Sequence, residues 1–224
     1  MKHLGVVLCP RKYQPKLIRE EYAIINKKPT LPIGQSDIYD ETGQFYSDEW
    51  CEKFRADCLY NFDLNMKYFS SLDHDEFDNA LSDFVSTNGH FKRIYDLHDC
   101  DKMSGCYLMV LDEYNQVYIG ISKDIKRRIQ QHWGTTKSFD RLLFPWSGIT
   151  TSILSIDSFR ALDTTRLYVC CTDDYFDVEE DCIEHFPQKF ILNRIPGGRI
   201  ELVLTKCVPV SYTHLRAHET GRNL

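Results

Sequence analysis

The chain has 224 residues, of which 42% are hydrophobic and 13% aromatic, a composition that excludes an intrinsically disordered protein. Its formal net charge is −6, from 27 Lys and Arg against 33 Asp and Glu, which argues mildly against a nucleic-acid binder. No apolar run reaches the length of a membrane span, and the early run at 4–9 is too short for a signal peptide, so we expect a cytoplasmic protein without a membrane partner.

The charges are distributed unevenly along the chain. Residues 1–35 hold seven Lys or Arg against two Glu, whereas residues 36–90 hold thirteen Asp or Glu against three Lys or Arg. Residues 105–150 are basic again, with six Lys or Arg against four acids. The acidic block is interpreted most simply as a solvated helical surface. Alternatively, it binds a protein partner, or it mimics nucleic acid and masks a basic site of the same chain.

Residues 1–100 are predicted to be a mostly helical region of unknown role. The expected elements are a strand at 4–9 and helices at 16–26, 48–58 and 73–88. The last of these helices has the clearest signals, because Asp73 and Glu76 resemble a capping box and Asn88-Gly89 is a typical stop.

The polar segment 91–104 is interpreted as a linker, and we place the domain boundary near it. His98, Asp99 and Cys100 are metal-ligand residue types, but ordinary linker residues are the simpler interpretation. The nine cysteines are odd in number and show no CxxC spacing, so they are expected to be reduced and to pack as small hydrophobes.

The stretch 105–133 contains the densest pattern in the chain. Two apolar runs predict strands at 106–111 and 116–121, joined by a turn of hairpin length. A basic helix follows at 123–133, with an apolar stripe formed by Ile125, Ile129 and Trp133. A third strand is expected at 165–171, a second amphipathic helix at 173–186, and a last strand at 200–204. Apolar residues within 134–164 are assigned to the core.

The end of the chain does not continue any of these patterns. Residues 210–220 (VSYTHLRAHET) resemble the translation of a sequencing adapter, and residues 207–224 are therefore interpreted as an artefactual tail. The histidines of this tail are not considered as metal ligands.

Tyr107 and Tyr118 are eleven residues apart, Arg128 lies ten residues after the second tyrosine, and His132 lies four residues after the arginine. With Gly105, Gly120, Glu179 and Asn193, this ordered set resembles the GIY-YIG nuclease superfamily over about residues 104–199. One departure is Cys106, which replaces the middle Ile of the first motif. The resemblance implies that Tyr107, Tyr118, Arg128, His132 and Asn193 are catalytic. It implies further that Gly120, Lys126 and Arg127 bind the substrate.

The helix at 173–186 offers an independent argument for Glu179. Its apolar stripe is defined by Phe176, Ile183 and Phe186, and Glu179 falls in the middle of that stripe. A carboxylate on a buried face costs several kcal/mol, roughly, unless a cation or a metal compensates its charge. Glu179 pairs with a cation such as Arg128, or it binds a metal. The resemblance favours one divalent ion, Mg²⁺ or Mn²⁺, with Glu180 as the alternative ligand.

The expected architecture is α+β: a small three-stranded antiparallel sheet flanked by helices in a nuclease-like domain at 101–206, preceded by the mostly helical region. The resemblance implies a metal-dependent endonuclease that hydrolyses DNA phosphodiester bonds with a tyrosine-assisted water. The alternatives are a catalytically weak or inactive nucleic-acid-binding module and an interaction protein that acts through its acidic region.

Overall fold

A computed structural model describes residues 1–9, 15–22, 48–134, 154, 156–172 and 176–193. The helices are α1 (Arg19–Tyr22), α2 (Asp48–Ser70), α3 (His74–Thr87), α4 (Ile125–Trp133) and α5 (Phe176–His185). The strands are β1 (Lys2–His3), β2 (Val6–Val7), β3 (Lys92–Ile94), β4 (Gly105–Leu111), β5 (Gln116–Ser122) and β6 (Arg166–Cys171). Short 3₁₀ turns connect several of these elements.

The main sheet is antiparallel and has the strand order β3-β6-β4-β5. The mixed helix and sheet architecture agrees with the prediction, but the three-stranded sheet is wrong, because β3 adds a fourth strand at the edge. Within the segment interpreted as a linker, Lys92 pairs with Val169 of β6. Two cations and one isoleucine give β3 no alternating apolar pattern. Its strand conformation comes from the open edge of β6, a tertiary contact that local sequence does not encode.

Strand β4 is buried on both faces of the sheet, which explains its continuous apolar run. On one face, Tyr107, Met109 and Leu111 belong to the core that also contains Ile125 and Ile129 of α4. On the other face lie Cys106, Leu108 and Val110, in the core that contains side chains of α3 and α5. Alternation along one strand therefore assigns neighbouring residues to different cores.

Helices α2 and α3 contribute to opposite faces of the sheet. Phe62 and Phe69 of α2 join the core that includes Tyr107, whereas Phe77 and Phe84 of α3 join the core that includes Leu108. Some of their acidic side chains pair with cations of the same chain: the pairs are Asp63 with Arg19, Glu76 with Lys189 and Asp78 with Arg166. The N-terminal helices and the sheet are thus packed into shared cores.

The limits of these helices test the sequence patterns. Helix α3 confirms its predicted start, since the Asp73 side chain accepts a hydrogen bond from the Glu76 amide at 2.8 Å, and it ends before Asn88. Helix α2 runs to Ser70, twelve residues beyond the predicted end at 58. The prediction ended too early, because the helix continues through Phe62 and Phe69, which are both buried in the core.

Residues 4–9 do not form the single predicted strand. The chain reverses at Leu4 and Gly5, where φ is +42° and +79°, so that β1 and β2 pair as a hairpin. A glycine accepts such backbone angles without steric cost, which accounts for the position of the turn. Helix α1 falls within the predicted helix 16–26. Residues 23–26, the strand expected at 200–204, the aromatic residues of 139–146 and the tail 207–224 lie outside the described residues.

No helix in the described part of the chain combines the length and apolar character needed to cross a membrane. The cysteines whose side chains the structure describes are Cys9, Cys100, Cys106, Cys170, Cys171 and Cys182, and none of these six forms a disulfide. Four of these six thiols are buried, in agreement with their prediction as reduced core residues.

Candidate active site

The hairpin of β4 and β5 brings the two tyrosines of the motif together. Asn115 ends the connecting turn in the left-handed conformation, with φ +51°, and the register of the hairpin places Tyr107 opposite Gly120. The ring centroids of Tyr107 and Tyr118 are 6.2 Å apart. Tyr107 is completely buried, whereas Tyr118 is partly exposed.

Gly120 is needed because the tyrosine rings lie directly against its backbone. A Cβ at this position would lie 2.6 Å from the Tyr107 hydroxyl oxygen and 2.8 Å from Cε1 of Tyr118. The Tyr107 ring therefore occupies the space that a side chain at position 120 would need. This gives Gly120, predicted to bind the substrate, a steric role in forming the site.

His132 of α4 is hydrogen bonded to Tyr107. Its Nε2 lies 2.9 Å from the Tyr107 hydroxyl, and its Nδ1 lies 2.8 Å from Oδ1 of Asp157. Only 1% of His132 and 7% of Asp157 are exposed, so the two hydrogen bonds are shielded from water. His132 also packs edge-on against Tyr118, with ring centroids 5.3 Å apart. Tyr107, His132 and Asp157 form a buried chain of polar groups.

Arg128 lies one turn before His132 on α4, and it too interacts with the tyrosines. Burial opposes its charge, but Tyr107, Tyr118 and Asp157 outweigh this cost and raise the pKa of the guanidinium. Arg128 is only partly buried. It is therefore a permanent cation that interacts with both tyrosines and retains some exposed surface, and a forked guanidinium is well suited to binding a phosphate.

The Tyr107 hydroxyl is a weak acid in this environment. Burial raises its pKa well above the ordinary value near 10, and the neighbouring Tyr118 and Glu179 raise it further. The charge of Arg128 and its hydrogen bond to the hydroxyl act in the opposite direction, but they do not overcome the burial. The free protein therefore holds Tyr107 as a phenol at neutral pH.

Glu179 lies on the buried face of α5, close enough to Tyr107 for its charge to affect that hydroxyl. Only 5% of Glu179 is exposed, whereas its neighbour Glu180 faces solvent. The helix thus has the register assumed in the sequence argument. Sequence alone could not exclude a slip to Glu180.

Asn193 holds the backbone of β5 at the site. Its Oδ1 accepts a hydrogen bond from the Ile119 amide at 2.9 Å, and its Nδ2 donates to the Ile119 carbonyl at 2.5 Å. Ile119 lies between Tyr118 and Gly120, so this amide side chain fixes the strand at the position where the two tyrosines meet. The contacts describe a positioning role for Asn193 and no contact with a reacting group.

The basic residues after Asp124 are arranged differently from the tyrosine group. Lys126 forms an ion pair with Asp101, in the segment before β4, at 3.1 Å, and Arg127 is exposed. Both cations were predicted to bind the substrate. Arg127 is available at the surface for a phosphate contact, whereas Lys126 would first have to leave Asp101.

Glu179 is the residue of this group best suited to a metal ion. No cluster of three or more His, Cys, Asp or Glu side chains with metal-binding geometry occurs among the described residues. A single carboxylate nevertheless fits Mg²⁺, which commonly binds through one or two carboxylates and takes its other ligands from water and substrate phosphates. The buried position and oxygen chemistry of Glu179 are compatible with such an ion.

Asp157 is the site residue that the sequence analysis did not identify. It lies in a 3₁₀ turn, Ile156–Ser158, inside the segment 134–164 that showed no clear pattern. A signal was present: Asp157 is the only acid in the apolar stretch 153–159, and the argument that selected Glu179 from its apolar helix face applies equally here.

Comparison with known protein families identifies a match within the part of the chain that contains the tyrosine group. A family model described as the GIY-YIG catalytic domain matches residues 103–158, which include both tyrosines, Gly120, Arg128, His132 and Asp157. Neither the curated proteins nor the solved structures contain a significant match to this chain. Residues 103–158 therefore match the GIY-YIG catalytic domain, and the assembled tyrosine group lies within the matched residues, which is consistent with a GIY-YIG nuclease domain in the C-terminal part of the chain.

Proposed function

We propose that this protein is a metal-dependent endonuclease that hydrolyses DNA phosphodiester bonds with a water molecule assisted by Tyr107. The observation that supports this proposal most strongly is the grouping of Tyr107 with a permanent cation, Arg128, and a buried carboxylate, Glu179. Phosphodiester hydrolysis needs a proton acceptor for the attacking water and positive charge at the phosphate.

Glu179 would hold one divalent ion, Mg²⁺ or Mn²⁺. Such an ion acts as a Lewis acid on the phosphate and stabilises the charge of the leaving oxygen. Arg128 would bind a non-bridging phosphate oxygen from the exposed side of the site. Tyr118 packs against His132 and Tyr107, and Asn193 fixes the strand that carries Tyr118.

Tyr107 would accept a proton from the attacking water. Its raised pKa argues against a phenolate formed in advance, so the hydroxyl must lose its own proton as it gains another. His132 Nε2, at 2.9 Å, is positioned to receive that proton. Because Tyr107 has no exposed surface, reaction at its oxygen also requires that the hydroxyl becomes accessible when the substrate binds.

Nicking of supercoiled plasmid DNA in Mg²⁺ and in EDTA tests this function. The Tyr107→Phe variant removes one hydroxyl and should lower the cleavage rate about 10²- to 10⁴-fold, the usual contribution of acid–base catalysis. Tyr114→Phe is a matched control, since Tyr114 is also buried and its hydroxyl donates to Asp163 at 3.0 Å, outside the site.

The neighbouring carboxylates of α5 provide the second pair of variants. Glu179→Ala should abolish the response to Mg²⁺, and Glu180→Ala should leave it unchanged, because only Glu179 faces the site. DNA binding without cleavage in any divalent metal would identify a binding module instead and would refute the proposed reaction.

A further inference from the structure

The hydrogen bond between Asp157 and His132 bears on which ring nitrogen of His132 carries a proton. An ionised carboxylate can only accept hydrogen bonds, so the 2.8 Å contact with Oδ1 requires a proton on Nδ1 of His132. In a neutral imidazole, Nε2 is then an acceptor, and the Tyr107 hydroxyl must donate along the 2.9 Å contact.

We propose that Asp157 is a positioning residue that holds His132 as its Nδ1–H tautomer, with Nε2 aimed at the Tyr107 hydroxyl to receive its proton. This inference rests on the proposed nuclease function. The same division of roles operates in hydrolases where an aspartate orients a histidine that takes a proton from a hydroxyl. Asp157 touches neither the substrate nor the attacking water.

Attack of water on phosphorus moves protons through Tyr107 and His132. The attacking water gives one proton to the Tyr107 oxygen, while the original hydroxyl proton of Tyr107 moves to Nε2 of His132. The water oxygen forms the new bond to phosphorus, and the bond from phosphorus to the leaving oxygen breaks. The leaving oxygen gains a proton from solvent, and the imidazolium later returns its proton to solvent. Tyr107 is a neutral phenol before and after the step.

The surroundings of Asp157 distinguish it from a carboxylate that only supports the fold. Its carboxylate is hydrogen bonded to His132, and its charge helps to raise the pKa of Arg128, so it acts on two residues of the site. Asp163, another buried acid in the same segment, instead accepts hydrogen bonds from the Leu17 and Arg160 amides and from Tyr114. Asp163 therefore ties the N-terminal segment to the domain.

Long-range ¹H–¹⁵N correlation spectra of the imidazole rings test the tautomer without reference to activity. His132 is identified among the eight histidines as the signal lost in His132→Gln. The wild type should carry the ring proton on Nδ1, and a proton on Nε2 would overturn the proposal. In Asp157→Asn the amide can donate to Nδ1, so the ring proton should move to Nε2. In the control, Asp163→Asn, it should stay on Nδ1.

Plasmid cleavage then tests the consequence for catalysis. Asp157→Asn should lower kcat about 10²-fold or more while KM changes little, because substrate contacts are retained. Wild-type kcat in Asp157→Asn, or an unmoved ring proton, would refute the positioning role. If Asp157→Asn does not fold, the position of the ring proton in the wild type alone tests the proposal: a proton on Nδ1 supports it and a proton on Nε2 refutes it. If the wild type fails to cleave DNA, the nuclease function fails, whereas the tautomer is still assigned from the spectra.

Discussion

Replacing Gly120 by alanine tests whether the placement of Tyr107 governs both stability and activity. The added Cβ would lie 2.6 Å from the Tyr107 hydroxyl oxygen, whereas ordinary contact begins at 3.4 Å. The ring must therefore shift by about 0.8 Å, and it is held by the core around it and by His132. Overpacking of this kind costs about 1–3 kcal/mol of stability.

The same shift should impair cleavage. A displacement of about 1 Å at reacting groups can lower a rate about 10²-fold, so Gly120→Ala should cut plasmid nicking by a factor of that order. Gly89→Ala is the matched control, because a Cβ at Gly89 meets no atom within 4 Å. Urea unfolding measures the stability of both variants, and nicking in Mg²⁺ measures their activity.

Two outcomes of this experiment would contradict the reasoning. Wild-type stability in Gly120→Ala would show that Tyr107 does not pack against the backbone of β5. Lowered stability with unchanged cleavage would show that the tyrosine is structural only.

Three further experiments test the buried polar groups and the buried thiol. Asn193→Ala leaves the buried amide and carbonyl of Ile119 unpaired and should lower the free energy of unfolding by about 1–3 kcal/mol per group, whereas the exposed Asn79→Ala should change it little in urea titrations. Burial raises the pKa of Tyr107, so the neutral phenol stabilises the fold below the unfolded pKa near 10, and this contribution is lost as the pH rises above that value. Tyr107→Phe should therefore flatten the fall in stability at alkaline pH. An unchanged dependence of stability on pH would contradict this. Burial raises the pKa of Cys100 to about 11. Iodoacetamide at pH 8 should therefore label the exposed Cys171 and spare Cys100, as peptide mapping would show. Equal labelling of the two cysteines would refute the burial of Cys100.

Local patterns in the sequence were sufficient to predict the strands and the helix at the centre of the fold. Strands β4 and β5 and helix α4 appear close to their expected limits, because an apolar run, a turn and a 3.6-residue stripe are all encoded locally. Strand β3 and the full length of α2 were not predictable in the same way. Each depends on a partner distant in sequence: the edge of β6 for β3, and the core around Phe69 for α2.

The residues of the site likewise differ in how well the sequence predicted them. The spacing of Tyr107, Tyr118, Arg128 and His132 identified a group that the structure brings together, because a hairpin and the next helix connect these residues over a short stretch. Asp157 reaches His132 from the end of a segment without periodicity. Its contribution depends on a hydrogen bond across 25 residues, which no spacing rule for helices or strands predicts.

The role of the acidic helices must be tested without deleting them. Phe62, Phe69, Phe77, Leu81 and Phe84 are all buried in cores shared with the sheet. At about 1.5–3 kcal/mol for each buried side chain, their loss amounts to about 8–15 kcal/mol, as large as the stability of a typical domain. A fragment covering residues 101–206 should therefore fail to fold, as circular dichroism and thermal unfolding would show. A cooperatively folded fragment would contradict the shared cores.

Charge neutralisation separates masking from structural support. Asp75 and Asp83 lie on the exposed surface of α3, away from the buried stripe, so Asp75→Asn with Asp83→Asn should preserve the fold. If the acidic surface repels DNA from the basic helix α4, the double variant should bind a fluorescent duplex more tightly, and the difference should shrink as salt screens the charges. Equal affinity at low salt would show that these acids do not mask the site, and would leave α3 with the packing role that its buried phenylalanines already demonstrate.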